Sequence, residues 1–154
     1  MNRQAFIRSA AALALASLAG LAGAADKGEP AEAEALVKKV AAYVKANGAE
    51  KAYEEITNGK TFKDRDMYVF VYDFNGKCLA HGANPKLVGK DLIGLKDPDG
   101  KPLVQMLLDV AKTKGHGWTD TVKFRNPVTD KIQTRVNYVE RVGDVAIGSG
   151  VFKD

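Results

Sequence analysis

Residues 67–81 read MYVFVYDFNGKCLAH, and this stretch decides the fold class. Its first half is rich in β-branched and aromatic residues, which favour strands, and Asn75-Gly76 is a strong signal for a hairpin turn. A two-residue turn there pairs Tyr72 with Leu79. One face of the predicted hairpin carries Tyr68, Phe70, Tyr72, Leu79 and His81, and the other carries Val69, Val71, Cys78 and Ala80. The stretch therefore predicts two antiparallel strands with one aromatic and one aliphatic face.

Two amphipathic helices are predicted before this hairpin. Apolar residues recur at three- and four-residue spacing from Pro30, which suits a first helical turn, to Asn47. Asn47-Gly48 has the character of a helix C-terminus, and a shorter helix follows over residues 49–57. Each helix has one apolar side, so we expect helices to pack on the aliphatic face of the hairpin.

The rest of the chain contains a long loop, one helix and three strands. Residues 82–101 are rich in Gly, Pro and Asp, and long loops in small domains are often functional. A helix begins at Pro102, and strands are predicted over residues 118–124, 132–142 and 145–152. The predicted fold class is therefore α+β, with five antiparallel strands in one sheet.

The last two strands form a second hairpin, whose register predicts a polar hollow. Its pairs are Arg135 with Phe152, Asn137 with Gly150, Tyr138 with Ser149 and Val139 with Gly148. Arg135 and Asn137 share a face with the two glycines, and glycine within a strand often marks a close approach by another group. Arginine is a two-pronged donor, so the hollow suits a small carboxylate. An Arg135 that faces solvent is the alternative.

Three further residues are candidates for a binding site, and each has a structural alternative. His81 either closes the first hairpin as a structural histidine or donates a hydrogen bond to a bound acid. Trp118 is either a core residue or the wall of a pocket. Tyr72 is expected to be a core ring whose hydroxyl needs a hydrogen-bond partner if it is buried.

Few arrangements for catalysis or metal binding are present. The two histidines, His81 and His116, have no metal-ligand spacing, and the chain has no nucleophile elbow or phosphate-binding loop. Cys78 is the single cysteine, so no internal disulfide forms, and we expect it to be buried and structural. Asp97-Pro98-Asp99-Gly100 lacks the other positions of a calcium loop and is predicted to be a turn. We therefore expect no cofactor, no metal and no enzymatic activity.

Residues 1–24 have the organisation of a secretory signal peptide. A basic start is followed by an uncharged run of Ala, Leu and Gly and by Ala22-Gly23-Ala24. The apolar run has roughly 15 residues, whereas a membrane-spanning helix needs about 20. We therefore expect cleavage after residue 24 and one periplasmic domain over residues 25–154, with no later segment that spans a membrane.

The charge balance argues against nucleic acid as a partner. The formal net charge is +4, and loss of the two arginines within residues 1–24 leaves +2 (4 − 2). The positive residues are scattered among Asp and Glu and form no basic block. A small molecule or another protein is therefore the expected partner.

Several motifs, in the same order along the chain, resemble the single Cache domain, type 2 family. They are Tyr68-Val69-Phe70-Val71-Tyr72-Asp73, Asn84-Pro85-Lys86-Leu87-Val88-Gly89-Lys90, Asp97-Pro98-Asp99-Gly100, Gly117-Trp118, Asn126-Pro127-Val128-Thr129 and Tyr138-Val139-Glu140-Arg141-Val142-Gly143-Asp144. The resemblance extends from the N-terminal helix to Phe152. It implies a PAS-like antiparallel sheet packed on a long N-terminal helix, with a short helix and a loop over the other face.

The resemblance also implies a function. Family members are extracytoplasmic sensors of small ligands, often short carboxylates such as acetate, propionate, pyruvate or lactate. Their pocket residues come from the strands and the loop that crosses them. The matching positions here are Tyr72, His81, Trp118, Arg135 and Asn137. Family members more often have lysine at position 135, and arginine would bind an anion in a different geometry.

One departure from the family pattern leaves two hypotheses. Such domains usually lie between membrane spans in chemoreceptors or histidine kinases, whereas this chain ends at Asp154, shortly after the last predicted strand. We expect a stand-alone periplasmic protein that binds a small organic acid and acts through a membrane receptor or histidine kinase. The alternative is a ligand-free accessory subunit of a periplasmic or membrane complex, in which side chains fill the Arg135 hollow.

Overall fold

The computed structural model describes residues 27–153 of the 154-residue chain. The helices in this range are α1 (Pro30–Asn47), α2 (Ala49–Asn58) and α3 (Leu103–Lys114). The strands are β1 (Lys63–Asp64), β2 (Met67–Asp73), β3 (Cys78–His81), β4 (His116–Trp118), β5 (Val122–Arg125), β6 (Ile132–Val142) and β7 (Val145–Phe152). The predicted signal peptide, residues 1–24, lies outside the described residues.

The described strands form one antiparallel sheet, so the predicted fold class is confirmed. β2, β7 and β6 occupy the centre, β1 and β3 share the edge beside β2, and β4 and β5 share the edge beside β6. The predicted count of five strands is wrong for two reasons. A two-residue strand such as β1 has no periodic pattern to recognise, and the strand predicted over residues 118–124 is divided into β4 and β5.

This division places one extra residue opposite β6. Trp118 pairs with Tyr138, whereas Val122 pairs with Arg135, so four steps along this edge correspond to three steps along β6. A one-residue insertion turns the side chains beyond it to the opposite face of the sheet. Trp118 and Val122 therefore lie on different faces, although a continuous strand would place them on the same one.

The helices α1 and α2 cover one face of the sheet, which we call the helix face. α1 begins with Pro30 and a capping box formed by Glu29 and Glu32, and it ends at Asn47, which is followed by Gly48 with a φ of +87°. The sheet residues beneath the two helices are aliphatic and include Val69, Val71, Ala80 and Ile147. The predicted packing of the helices on an aliphatic surface is therefore confirmed.

α3 and the loop over residues 82–102 cover the opposite face, as the resemblance implies. The sheet residues beneath them include Tyr68, Phe70, Tyr72, Val139 and Ala146. The loop is fixed beside β3 by main-chain bonds, because Cys78 N–H donates to Lys90 O at 2.9 Å and Gly89 N–H donates to Cys78 O at 2.8 Å. A 3₁₀ turn at Pro85–Leu87 lies within the loop.

The turn of the first hairpin is longer than predicted. Asp73 N–H donates to Lys77 O at 3.0 Å, so the turn between these two bonded residues has three residues, Phe74–Gly76, and not the two predicted. Gly76 closes this turn with a φ of +92°, a conformation that favours glycine. Asn75-Gly76 therefore marks the turn correctly without giving its length.

A bulge in β3 changes the faces of two residues. Tyr72 pairs with Cys78 and not with Leu79, because Leu79 is the extra residue of the bulge. Cys78 consequently packs in the aromatic cluster and Leu79 packs on the helix face, the reverse of the prediction. Beyond the bulge, Val71 pairs with Ala80 as predicted, since the longer turn and the bulge compensate for each other.

The second hairpin, formed by β6 and β7, has the predicted register throughout. Its pairs are Arg135 with Phe152, Asn137 with Gly150, Tyr138 with Ser149 and Val139 with Gly148. Arg135 and Asn137 consequently lie beside the two glycines on one face. That face is the one covered by α3 and the loop, since Val139 packs in the aromatic cluster.

Candidate functional site

The aromatic face of the first hairpin and the glycine-bearing face of the second are a single surface. β2 lies antiparallel beside β7, so Phe70 pairs with Gly148, which in turn pairs with Val139 of β6. Side chains of β2, β3 and β6 converge beneath α3 and enclose a cavity of about 30 Å³. Its polar lining consists of Tyr68, Tyr72, His81, Arg135 and Asn137. Its apolar lining consists of Phe70, Leu95, Leu103, Val104, Leu107, Val122 and Phe124.

Arg135 is held in this cavity by aromatic rings. Only 2% of the residue is exposed, so the guanidinium group is removed from water. The distances from its Cζ atom to the ring centroids are 4.3 Å for Tyr68, 5.0 Å for Phe152 and 5.8 Å for Phe70 and for Phe124. Nη1 also donates a hydrogen bond to the Tyr68 hydroxyl. Ring faces attract a cation without neutralising its charge.

The guanidinium group of Arg135 has no counter-charge within residues 27–153. It makes no ion pair in that range, and its Nε and Nη2 atoms have no hydrogen-bond partner there. Buried charges are normally paired, because an isolated ion loses its hydration. Nε and Nη2 present parallel N–H bonds along one edge of the group, which matches the two oxygens of a carboxylate. The hydroxyl of Tyr68 occupies Nη1 and leaves this edge free.

His81 connects the cavity wall to the loop. Its Nδ1 accepts hydrogen bonds from the backbone N–H groups of Ala83 at 3.3 Å and Asn84 at 3.0 Å. Burial of the ring, together with the charges of Arg135 and Lys63, lowers the pKa of His81 to about 3. The ring is therefore neutral near pH 7, and because Nδ1 is an acceptor, the proton lies on Nε2. His81 can thus close the hairpin and still donate one hydrogen bond.

The other polar groups of the cavity also favour an anion. Burial raises the pKa of Tyr68 and of Tyr72, so both hydroxyls keep their protons near pH 7. Asn137 is fixed through its main chain, whose carbonyl accepts from Thr119 N–H at 2.9 Å. No Asp or Glu is found among the described residues that line the cavity. The lining can therefore donate several hydrogen bonds and provides no negative charge for a cation.

Two glycines of β7 allow this arrangement. A Cβ atom at Gly148 would overlap the ring of Phe70, and one at Gly150 would overlap Asn137 Oδ1 and Arg135 Nε. The close approach predicted at these glycines is therefore present. The groups that approach are the protein's own side chains, which occupy much of the predicted hollow.

Four of the five predicted site residues line the cavity, and the fifth does not. Those that line it are Tyr72, His81, Arg135 and Asn137. Trp118 lies on the helix face, where its ring centroid is 5.5 Å from that of Tyr138. The extra residue between β4 and β5 turns Trp118 to this face, so Trp118 does not line the Arg135 cavity, and its packing fits the core alternative.

Several residues of the site were not assigned to it from the sequence. Phe152 could have been found, because it pairs with Arg135 in the predicted hairpin. Tyr68 was predicted on the aromatic face, but its contact with Arg135 depends on the order of the strands. Leu103 and Leu107 showed only the apolar spacing of a helix, which gives no information about the sheet beneath.

The chain belongs to the single Cache domain 2 family, whose profile matches residues 1–154. The sensor histidine kinase MctS of Rhizobium johnstonii is 29% identical to it over 92 residues, which are 58% of this chain and 20% of that protein. The curated relatives are much longer than their matched parts, which make up 20% and 17% of their lengths. These two relatives are a sensor histidine kinase and a methyl-accepting chemotaxis protein, so both are sensor proteins.

Two solved structures share the fold at low sequence identity. A methyl-accepting chemotaxis protein from Vibrio parahaemolyticus has a TM-score of 0.69 at 23% identity, over 80% of this chain and 88% of that chain. A Cache chemosensory domain described in terms of carboxylic acid recognition has a TM-score of 0.67 at 23% identity, over 80% of this chain and 92% of that one. The PAS-like fold implied by the resemblance is therefore confirmed.

Two further properties concern the described range alone. Between residues 27 and 153, no helix has the length and apolar character needed to cross a membrane. In the same range, no cluster of three or more His, Cys, Asp or Glu side chains could hold a metal ion.

Proposed function

We propose that this chain is a sensor domain that binds a short carboxylate in the Arg135 cavity. The observation that carries the proposal is the Nε and Nη2 edge of a buried guanidinium that has no partner among residues 27–153. A carboxylate would supply the missing counter-charge and accept two charge-assisted hydrogen bonds. His81 and Tyr72 supply further donors from the same lining, and Asn137 lies beside Arg135.

The cavity also limits which acid can bind. A volume of about 30 Å³ has room for roughly two or three water-sized groups, since one water needs on the order of 10–15 Å³. α3 contributes Leu103, Val104 and Leu107 to the lining, which suit a short alkyl chain. An α-ammonium group would find no carboxylate there. We therefore propose acids of the size of acetate and propionate, in preference to amino acids. The acid recognition described for one structural neighbour supports this class.

Titration calorimetry of residues 25–154 with acetate, propionate and alanine tests the binding site. We expect the two acids to bind with Kd below about 1 mM, equivalent to about −4 kcal/mol, and alanine not to bind. Arg135→Ala should remove binding, whereas Arg141→Ala should not, because Arg141 is an exposed arginine of the same strand. Equal affinities in the two variants, or a preference for alanine, would contradict the proposed site.

The proposed sensor acts outside the cytoplasm and through a partner. Residues 1–24 serve as its export signal, and ligand occupancy is passed to a membrane receptor or a histidine kinase. Membership of a sensor family and the likeness to a histidine kinase support this step. Mass spectrometry of the exported protein should give the mass of residues 25–154, with Ala25 as the N-terminal residue. Recovery of the protein with residues 1–24 still attached would contradict the proposed signal peptide.

A ligand-free accessory subunit is the second candidate. The observation in its favour is the dense packing of Phe70 over Gly148 and of Arg135 over Gly150, which leaves little volume between them. In this case no short acid would bind, and the protein would still be recovered from membranes with a stable partner. Acid binding that is lost in Arg135→Ala would reject this candidate.

A further inference from the structure

The lining of the Arg135 cavity reaches the surface in one area of the described molecule. Leu95 is 37% exposed, and Leu103 and Phe124 are half-buried, whereas the other nine described lining residues are buried. The three accessible residues belong to the loop, to the beginning of α3 and to β5. A small molecule would therefore reach Arg135 where these three elements meet.

Asp97 connects the loop to β5 beside this opening. Its carboxylate is buried, and Oδ2 accepts a hydrogen bond from the backbone N–H of Lys123 at 2.9 Å. Oδ1 accepts from the N–H groups of Asp99 at 2.9 Å and Lys101 at 2.8 Å, which shape the loop itself. Both sequence neighbours of Lys123 line the cavity. The bond to β5 thus lies directly behind the cavity wall.

Residues 95–103 form a small unit that carries both leucines of the opening. Leu103 N–H donates to Leu95 O at 3.0 Å, and Lys96 pairs with Pro102 in an antiparallel bridge. A second tie joins this unit to the β5 edge, because Lys101 Nζ donates to Thr121 O at 2.5 Å. Separation of the unit from β5 would therefore widen the opening.

We infer that residues 95–103 are the gate of the Arg135 cavity and that Asp97 is the positioning residue that latches this gate to β5. The inference rests on the proposed function, because it gives the ligand its route. Asp97 contacts the gate and β5 but is not part of the cavity lining. Loss of the latch should therefore raise the association and dissociation rates of the acid together and change Kd little.

A cysteine reporter tests the gate without any ligand. The native cysteine is removed by Cys78→Ala, and Val122→Cys places a thiol in the cavity wall beside the latch. We expect a small methanethiosulfonate to label this thiol about tenfold faster in Asp97→Asn than in Asp99→Asn, which corresponds to about 1.4 kcal/mol. Asp99 is the matched control, because it is exposed and only its backbone N–H joins the latch.

A second reporter separates gate opening from general loss of stability. Val71→Cys places the thiol on the helix face, in a residue with 0% exposure. Its labelling rate should be the same in Asp97→Asn and Asp99→Asn. The inference would be overturned if the Val122→Cys thiol were labelled at the same rate in the two Asp variants. It would also be overturned if Asp97→Asn raised the labelling rates of the Val122→Cys and Val71→Cys thiols by the same factor.

A second pair of variants and a kinetic measurement of acetate binding complete the test. If Asp97→Asn does not fold, Lys101→Met removes the tie to Thr121, and exposed Lys96→Met is its control. Stopped-flow binding of acetate should show both rates raised in the latch variant, and unchanged rates would overturn the gate. Absence of acetate and propionate binding in the unmodified protein would reject the proposed function, and the labelling rates would still decide whether the gate opens.

Discussion

The two faces of the sheet use the same strands in opposite ways. On the helix face, Val69, Val71 and Ile147 are aliphatic, fully buried and packed beneath α1 and α2. On the cavity face, the alternate residues are aromatic rings around Arg135, which has no counter-charge in the described range. The helix face thus supplies the stability that permits an unfavourable charge on the other face. Stability and binding should therefore respond to different substitutions.

The largest expected effect tests the helix face. Ile147→Ala should lower the free energy of unfolding by about 2–5 kcal/mol, because it leaves a cavity in a fully buried cluster. Urea denaturation measures this loss, and the acetate affinity of the folded variant should stay within about twofold. Ile132→Ala is the control, since Ile132 is 50% exposed and should cost less than about 0.5 kcal/mol. A loss of acetate binding in Ile147→Ala would contradict the separation of the faces.

The next expected effect is an increase in the free energy of unfolding, caused by a substitution on the cavity face. Arg135→Met should abolish acid binding and raise the free energy of unfolding by about 1–4 kcal/mol, because an apolar group of similar size replaces a buried charge. Urea denaturation and calorimetry measure the two effects, and Arg141→Met should change neither by much. Destabilisation as large as that of Ile147→Ala would show that Arg135 is a structural residue.

A smaller effect should appear as a dependence on pH. The pKa of His81 is lowered to about 3 in the folded protein, so below its usual value near 6.5 only the unfolded chain takes up a proton. Stability contributed by neutral His81 is therefore present at pH 7 and is lost as the pH falls from about 6.5 toward 3. The slope is about 1.4 kcal/mol per pH unit. Denaturation at pH 7.5 and 5.5 should show this loss in the unmodified protein and a smaller one in His81→Gln.

The last expected effect concerns the Tyr68 hydroxyl. Tyr68→Phe removes the hydrogen bond to Arg135 Nη1 and keeps the ring beneath the guanidinium group. Because the donor is charged, we expect a loss of about 1.5–3 kcal/mol in the free energy of unfolding and a loss of acetate affinity below about tenfold. Tyr43→Phe on the helix face should leave acetate affinity unchanged. An acetate affinity as low as that of Arg135→Ala would mean that Tyr68 itself binds the acid.

Much of the fold could be predicted because its signals are local. The apolar spacing that begins at Pro30 and the regular alternation of β6 and β7 gave the correct helix and the correct register. The bulge at Leu79 and the extra residue after Trp118 have no local signal, because they depend on the neighbouring strand. The bulge reversed the faces predicted for Cys78 and Leu79, and the extra residue places Trp118 and Val122 on different faces of the sheet.

The candidate site could be predicted residue by residue and not as an arrangement. Arg135 and Asn137 were recognised from one hairpin, and Tyr72 and His81 from the other. That the two hairpins contribute to one cavity follows from the contact between β2 and β7, which joins strands far apart in sequence. Local patterns contain no information about that contact, so the arrangement of side chains around Arg135 could not be predicted from the sequence.

Gly150 gives this architecture a marker that can be read in an alignment. Because any side chain there would overlap Arg135 Nε and Asn137 Oδ1, a homologue with a larger residue at this position must hold its cation elsewhere or do without it. Positions 135 and 150 should consequently vary together across the family. Their joint pattern would group homologues by recognition chemistry before any of them is purified.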